Sequence, residues 1–397
     1  MSGEKRVIFV NRTYPPYPGA TGQLLRDLAP ALARTGYKVI VVTAGTGSVV
    51  SEDGVTVHRI GAAFSAQRRI SLWDKWRAQR LFFNAAKTWW ETHIQSADTV
   101  VIMTDPPSLS GQLGNCPRGP RPRLVHWVQD IHPEVGAALT FPPARALIGR
   151  WSRARNRAWR QADAVVTLGT DMAAVIANLN VARSRLHISP NWAPRWLEPV
   201  EDALGQASRE QRGWTGKFVV MYSGNLGRVH DMEAIIAVAS RLRSRRDIVF
   251  CLVGDGAQID RLKATVASRQ LEQVMFLPPQ PTQTVSAMLS AADLHLVTLK
   301  ESCAGLVWPS KFYGILAVQR PVLFIGPVSA EIGQQIKQHR LGWAGARDKV
   351  DEAGSWIEAL VDDHTDRPSA LRSRVAAYHH SHLGFERSLA WWQTFLS

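Results

Sequence analysis

Short apolar runs alternate with stretches of helical period along most of the chain. Residues 6–10, 39–43, 55–60, 99–103, 124–128 and 164–168 read as strands in the first half. Residues 218–223, 248–253, 274–277, 293–298 and 321–325 do so in the second. Residues 23–35 place Leu24, Leu25, Leu28, Ala31 and Leu32 on one helical face, with Gly36 in the C-cap position. Further helices are predicted over 231–243, 259–269, 282–290 and 310–318. The repeated strand–loop–helix order predicts an α/β chain. Residues 187–196 are rich in proline and break the pattern, so a crossing between domains is expected there. The expected domains are 1–190 and 191–385. A last helix over 386–397 carries Leu389, Trp391, Trp392 and Phe395 and should pack back on the body.

Length and composition fit this picture. The chain has 397 residues, 45% of them hydrophobic, enough for two cored domains. Cys116, Cys251 and Cys303 are widely spaced and form no CxxC, which predicts a reducing compartment. No run approaches the roughly 18 apolar residues of a spanning helix. The N-terminus does not read as a signal peptide, because Asn11-Arg12 interrupts the apolar residues after Lys5-Arg6. A cytoplasmic protein, soluble or peripheral on the membrane, is the expectation.

Charge changes the picture further. The formal net charge is +14, and it is uneven. Residues 1–200 hold 25 Lys/Arg against 13 Asp/Glu, a net of +12, and the remainder 22 against 20, a net of +2. Nucleic acid and anionic membrane are the usual partners of such a surface. No zinc finger, helix-turn-helix or RNP-like run supports nucleic acid. Residues 65–94 interleave Arg68, Arg69, Lys75, Arg77, Arg80 and Lys87 with Trp73, Trp76, Leu81, Phe82, Phe83, Trp89 and Trp90. Residues 145–160 hold six arginines with Trp151 and Trp159. Helices of this kind suit an anionic bilayer surface. The alternative is that they pack their aromatics on a sheet and leave the cations in water.

Candidate chemistry gathers at predicted strand ends, where open α/β sheets bind ligands. Asp105, Asp130, His132 and Asp171 lie there. His132, between Asp130 and Glu134, could exchange protons near neutral pH, or these groups could cap helices and brace loops. Gly19 and Gly22 would let backbone approach a ligand, or simply form a turn. Gly224-Asn-Leu-Gly-Arg228 opens a helix and offers Arg228 to a phosphate. Residues 301–326 begin with Glu301, pass Pro309 and Ser310, and place Lys311 at a predicted helix start. A carboxylate for sugar hydroxyls beside a cation for phosphate suggests a nucleotide-sugar site. Solvated loop charges are the bland alternative. There is no Asp-x-Asp at a strand end, and His379, His380 and His382 have no acid or cysteine partner. No metal and no cofactor are therefore expected.

The order of these motifs resembles the two-domain GT-B glycosyltransferases of the family 4, or group 1, type. These retaining enzymes make bacterial exopolysaccharide, capsule, O-antigen and colanic-acid chains. The matching pieces are Tyr14-Pro-Pro-Tyr-Pro-Gly-Ala-Thr-Gly22, Thr104-Asp-Pro-Pro-Ser108, Trp127-Val-Gln-Asp-Ile-His-Pro133, Ser223-Gly-Asn-Leu-Gly-Arg228, Leu252-Val-Gly-Asp-Gly256, and Pro309-Ser-Lys-Phe-Tyr313 with Pro321-Val. The resemblance implies two Rossmann-like domains whose parallel sheets face an interdomain cleft. The first would take a saccharide acceptor, lipid-linked, and the second a nucleotide-sugar donor. Gly19, Gly224, Asn225, Arg228, Gly254, Ser310 and Lys311 are then donor-binding, and Glu301, Asp130 and His132 catalytic. One position departs from the pattern. Gly314 stands where the family often has a second glutamate that holds the ribose. A nucleotide-sugar 2-epimerase of the same fold, and a non-catalytic basic binding protein, remain as alternatives.

Overall fold

The computed structural model describes residues 5–17, 19–47, 49–61, 72–115, 120–139, 142–363, 365 and 367–397. The chain divides into two units. One comprises Met1–Pro190, Leu306–Trp308 and Glu386–Ser397, and the other Asn191–Gly305 and Pro309–Phe385.

The first unit is built on strands β1 (Arg6–Val10), β2 (Lys38–Ala44), β3 (Val50–Glu52), β4 (Val55–Ile60), β5 (Thr99–Ile102), β6 (Arg123–Trp127), β7 (Ala164–Thr167) and β8 (Leu186–Ile188). They form one sheet in the order β3-β4-β2-β1-β5-β6-β7-β8. Neighbours pair in parallel except β3 with β4, an antiparallel edge hairpin. Its turn, Asp53-Gly54, takes positive φ at both residues (50° and 80°), as a tight hairpin requires. The central strands are mostly apolar because helices cover both faces of a parallel sheet. Val7, Ile8, Phe9 and Val10 of β1 are all buried.

Helices α1 (Ala20–Arg34), α2 (Leu72–His93), α3 (Leu109–Leu113), α4 (Glu134–Leu139), α5 (Pro142–Gln161) and α6 (Thr170–Ala177) connect these strands. Helix α3 packs on both α2 and α5, so the two basic, tryptophan-bearing helices flank it in one layer. Helix α2 is described from Leu72 onward, and residues 65–71 of the expected helix, with Arg68 and Arg69, lie outside the described residues, as do Cys116 and the side chains of Lys75 and Trp76.

In the second unit β9 (Phe218–Ser223), β10 (Ile248–Val253), β11 (Val274–Leu277), β12 (Leu294–Thr298), β13 (Val322–Ile325) and β14 (Gly342–Gly345) make an all-parallel sheet, ordered β11-β10-β9-β12-β13-β14. Helices α7 (Asp202–Glu210), α8 (Met232–Arg241), α9 (Ile259–Ser268), α10 (Thr282–Ser290), α11 (Lys311–Ala317), α12 (Glu331–Gln338), α13 (Val350–Val361) and α14 (Arg367–Tyr378) accompany it. Helix α8 buries Ile235, Ile236, Val238 and Ala239 on Val220, Phe250 and Leu296. The last helix, α15 (Phe385–Leu396), lies almost wholly in the first unit. Its Trp392 is fully buried, with ring centroids 4.7 Å from Trp127 and 6.2 Å from Phe9. The two units are thus parallel-sheet α/β domains.

Candidate active site

In the second unit the carboxyl ends of β9, β10 and β12 come together. The Gly224 N–H donates to the Val253 carbonyl and the Gly254 N–H to the Leu277 carbonyl, both at 2.9 Å. This steps the loops across the sheet edge. Gly224 and Gly254 both take left-handed φ, 138° and 137°. A Cβ on Gly254 would stand 2.0 Å from the Gly224 carbonyl oxygen, so only glycine fits. Ser223, Gly224, Asn225, Gly254, Gln280 and Met288 are among the residues lining a pocket of about 410 Å³. Its walls come from these loops and from α10. The Tyr222 hydroxyl donates to the Asn225 carbonyl at 2.8 Å and fixes the loop's first turn.

Lys311 reaches the same corner from α11. Its Cε is 3.3 Å from where a Cβ on Gly224 would lie. Its Nζ is 3.1 Å from His230 Nε2 and 4.8 Å from the centre of the Tyr222 ring. His230 Nδ1 is 2.7 Å from the Thr298 carbonyl oxygen, to which it can only donate. Nε2 is then the lone pair that accepts from the lysine. Burial, aided by the Lys311 charge, pushes His230 down to about 3, so the ring is neutral. Burial also pushes Lys311 down to about 7. Sequence reasoning missed His230. It immediately precedes Asp231, which caps α8 through the Ala234 N–H at 3.2 Å, and it reads as part of a helix start.

Helix α11 has only seven residues, and the Phe312 and Tyr313 N–H groups already bond to the Pro309 and Ser310 carbonyls at 3.0 and 3.2 Å. The Lys311 amine at the start of this helix supplies the side-chain charge here. Ser310 is exposed and caps nothing through its side chain. Glu301 is exposed and opens a single 3-10 turn, Glu301–Cys303. The Lys300 N–H donates to the Val229 carbonyl at 2.9 Å, which ties this turn to the loop carrying Arg228 and His230. Arg228 and Asn225 are exposed. The structure therefore groups Gly224, Asn225, Arg228, Gly254, Glu301 and Lys311 on one sheet edge. Gly314 is buried, and a side chain there would begin 3.1 Å from Leu197 Cδ2. A larger residue there would have to displace the Leu197 side chain.

In the first unit Asp130 and His132 follow β6. Asp130 bridges to Val307, and the Ile131 N–H donates to the Leu306 carbonyl at 2.7 Å. Burial pushes the Asp130 carboxyl up, partly offset by the neighbouring imidazole, and pushes His132 down against the pull of Asp130 and Glu134. Each is driven toward its neutral form. Arg155 of α5, 3% exposed, donates to the His132 carbonyl and to both Glu134 oxygens, and lies 4.3 Å over the Trp159 ring. It locks the loop that presents His132. That loop borders a pocket of about 320 Å³ lined by Pro107, Pro133, Trp151 and Arg155.

Gly19 and the strand-end acids Asp105 and Asp171 each have local structural partners. Gly19 has an extended φ, and a Cβ on it would meet Thr13 Oγ1 at 2.6 Å, so close packing alone accounts for the glycine. Asp105 pairs with Arg12 at 2.8 Å, and Asp171 accepts from the Met172 N–H at 2.7 Å. Arg155 and Trp159 of the arginine-rich stretch face inward, as do Phe82, Trp89 and Trp90 of α2. Trp73 and Trp151 remain outside, 78% and 57% exposed, beside exposed Arg77, Arg80, Arg150, Arg153 and Arg157. Among the described residues no group of three His, Cys, Asp or Glu could hold a metal ion. His382 instead stacks on Tyr378 at 4.4 Å.

Comparison with known proteins places this geometry. Residues 19–192 match the glycosyl transferase 4-like domain family, and residues 206–323 match the glycosyl transferases group 1 family. WbjE of Pseudomonas aeruginosa, named as a glycosyltransferase, is 33% identical over 189 residues, 47% of this chain and 46% of its own. WcaI of Escherichia coli (strain K12), named as a colanic acid biosynthesis glycosyl transferase, is 33% identical over 217 residues, 53% of each chain. The chain thus spans about half the length of these curated relatives. The crystal structure of Anabaena Alr3699/HepE with UDP-glucose superposes with a TM-score of 0.74, covering 98% of this chain and 99% of that one at 15% identity, and shares its GT-B fold. The chain thus joins a glycosyl transferase 4-like domain over 19–192 to a glycosyl transferases group 1 domain over 206–323.

Proposed function

We propose that the protein moves a sugar from a nucleotide-sugar donor to a lipid-linked saccharide acceptor in surface polysaccharide synthesis, with retention of anomeric configuration. The observation that carries this reading is the corner of the second unit where Lys311 lies against Gly224 beside the glycine-walled pocket. Bare backbone there lets a diphosphate approach, and the ammonium meets its charge. As the bond from the anomeric carbon to the diphosphate oxygen breaks, negative charge grows on the leaving group. Cations held in place beforehand stabilise that charge most at the transition state. Lys311 and Arg228 supply it, so transfer should persist when divalent ions are chelated. Glu301, exposed on the same edge, suits the donor sugar's hydroxyls. Asp130 and His132 would serve the acceptor from the first unit. HepE, solved with UDP-glucose, and WcaI, named for colanic acid synthesis, support the donor class and the pathway type.

A peripheral position on the cytoplasmic membrane face completes the reading. No helix among the described residues is long and apolar enough to cross a membrane. The exposed arginines of α5 around Trp151 suit anionic lipid headgroups. The decisive experiment is a panel of nucleotide sugars, with and without a lipid-linked acceptor, read by product NMR. A glycosylated acceptor with the donor's anomeric configuration is the expected product. Epimerised donor without acceptor would instead make the protein a 2-epimerase, and inertness toward the whole panel would make it a non-catalytic binder.

A further inference from the structure

We propose that His230 is the positioning residue of the donor cation: its Nε2 lone pair holds Lys311 Nζ beside Gly224 with no carboxylate partner, so that donor binding draws a proton onto the lysine. This inference rests on the donor reading of the site.

The geometry is a short relay. The Thr298 carbonyl at the end of β12 accepts from His230 Nδ1 at 2.7 Å, and Nε2 faces Lys311 Nζ at 3.1 Å. Gln258 fixes the backbone beneath, its amide donating to the Gly227 and His230 carbonyls at 2.6 and 3.2 Å. Among the described residues, the groups in contact with the Lys311 nitrogen are the His230 imidazole at 3.1 Å and the Tyr222 ring at 4.8 Å, with no carboxylate paired to it. Burial raises the Tyr222 hydroxyl, so it stays protonated. The nearby acids are committed elsewhere. Asp231 caps α8 and pairs with Arg347 at 3.1 Å, Asp255 accepts from the Gly256 N–H at 2.8 Å, and Glu233 pairs with Arg347 at 3.0 Å. Glu301 points to solvent.

A lysine normally buries its charge against a carboxylate. Here the acceptor is a neutral lone pair, which orients the ammonium without neutralising it. The counter-charge must then arrive with the ligand. Burial holds Lys311 down at about 7, so above that pH the empty site favours the neutral amine. A diphosphate at hydrogen-bond distance favours the charged form, and the difference appears as proton uptake.

Isothermal titration with UDP-glucose, GDP-mannose, UDP and GDP, in buffers of differing ionisation heat, reads this directly. Uptake of close to one proton per bound ligand is expected at pH 8, little at pH 6, with affinity falling up to tenfold per pH unit above about 7. His230→Ala should weaken binding about tenfold and at least halve the uptake at pH 8, because water then solvates the lysine. His230→Gln, which restores an acceptor, should recover most of the affinity. A merely structural role for His230 would move the melting temperature and leave the proton count alone. Binding without proton uptake at pH 8, or His230→Ala matching wild type in both affinity and proton count, overturns this inference and leaves the donor reading standing. If none of the four probes binds wild type, the donor reading falls and takes the inference with it.

Discussion

The carbonyl oxygen of Gly224 stands 2.0 Å from where a Cβ on Gly254 would be built. Two loops from adjacent strands are therefore held closer than any side chain allows, at the wall of the pocket proposed for the nucleotide. Gly254 also takes a φ of 137°, which L-residues avoid. Gly254→Ala should cost about 2–4 kcal/mol of stability and abolish nucleotide binding, measured by denaturant melts and calorimetry. Unchanged melting with full affinity would mean that the loops part freely, and the close approach would lose its significance.

Lys311→Met should separate function from stability. Loss of a charge-assisted contact worth roughly 1.5–3 kcal/mol predicts transfer about ten- to a hundredfold slower. Stability should move the other way. The folded lysine titrates near 7 and the unfolded one near 10.5, so between those values the unfolded chain binds more protons and wild-type stability rises with pH. Below pH 7 the burial cost is present in full. Lys311→Met should remove that slope and raise stability at pH 7 by up to about 4 kcal/mol. Denaturation curves from pH 6 to 10 that are parallel for both proteins would contradict this.

Glu301 is exposed on its turn, so Glu301→Ala should leave the melting temperature unchanged. Transfer should fall at least a hundredfold if the carboxylate holds the donor sugar. Wild-type turnover in a well-folded variant would remove Glu301 from the site.

Arg155→Ala leaves Glu134 without its guanidinium and frees the loop carrying His132. A cost of about 3 kcal/mol is expected, as for other broken buried pairs. Arg155→Ala/Glu134→Ala should recover part of that stability but none of the acceptor-dependent rate. Full activity in the double variant would show that the lock is dispensable for His132.

Exposed charges on α5 should matter only at a surface. Arg150, Arg153 and Arg157 replaced together by Glu should sharply weaken sedimentation with anionic vesicles, since each cation near such a surface contributes about 1 kcal/mol. Turnover on a water-soluble acceptor should stay within twofold. Equal vesicle binding by variant and wild type would refute the membrane role of this helix.

Much of this was legible in the chain itself. Runs such as 218–223 and 248–253 are apolar because both sheet faces are covered, and that local fact fixes strand positions without any partner. The loops after them are marked by Gly224 and Gly254, whose backbone shape no other residue takes, and their order along the chain pointed to the family. The Asp53-Gly54 hairpin carried an equally local signal that went unread. What only tertiary structure decided concerns partners far apart in sequence. Periodicity could not sort Trp89 and Trp159, which are buried, from Trp73 and Trp151, which are not, because the same pattern suits a sheet or a lipid surface. Nor could it bring His230 to Lys311, 81 residues away, or turn Arg155 inward onto Glu134. Local sequence sets backbone form, but the environment that neutralises a buried charge exists only once distant strand ends have assembled.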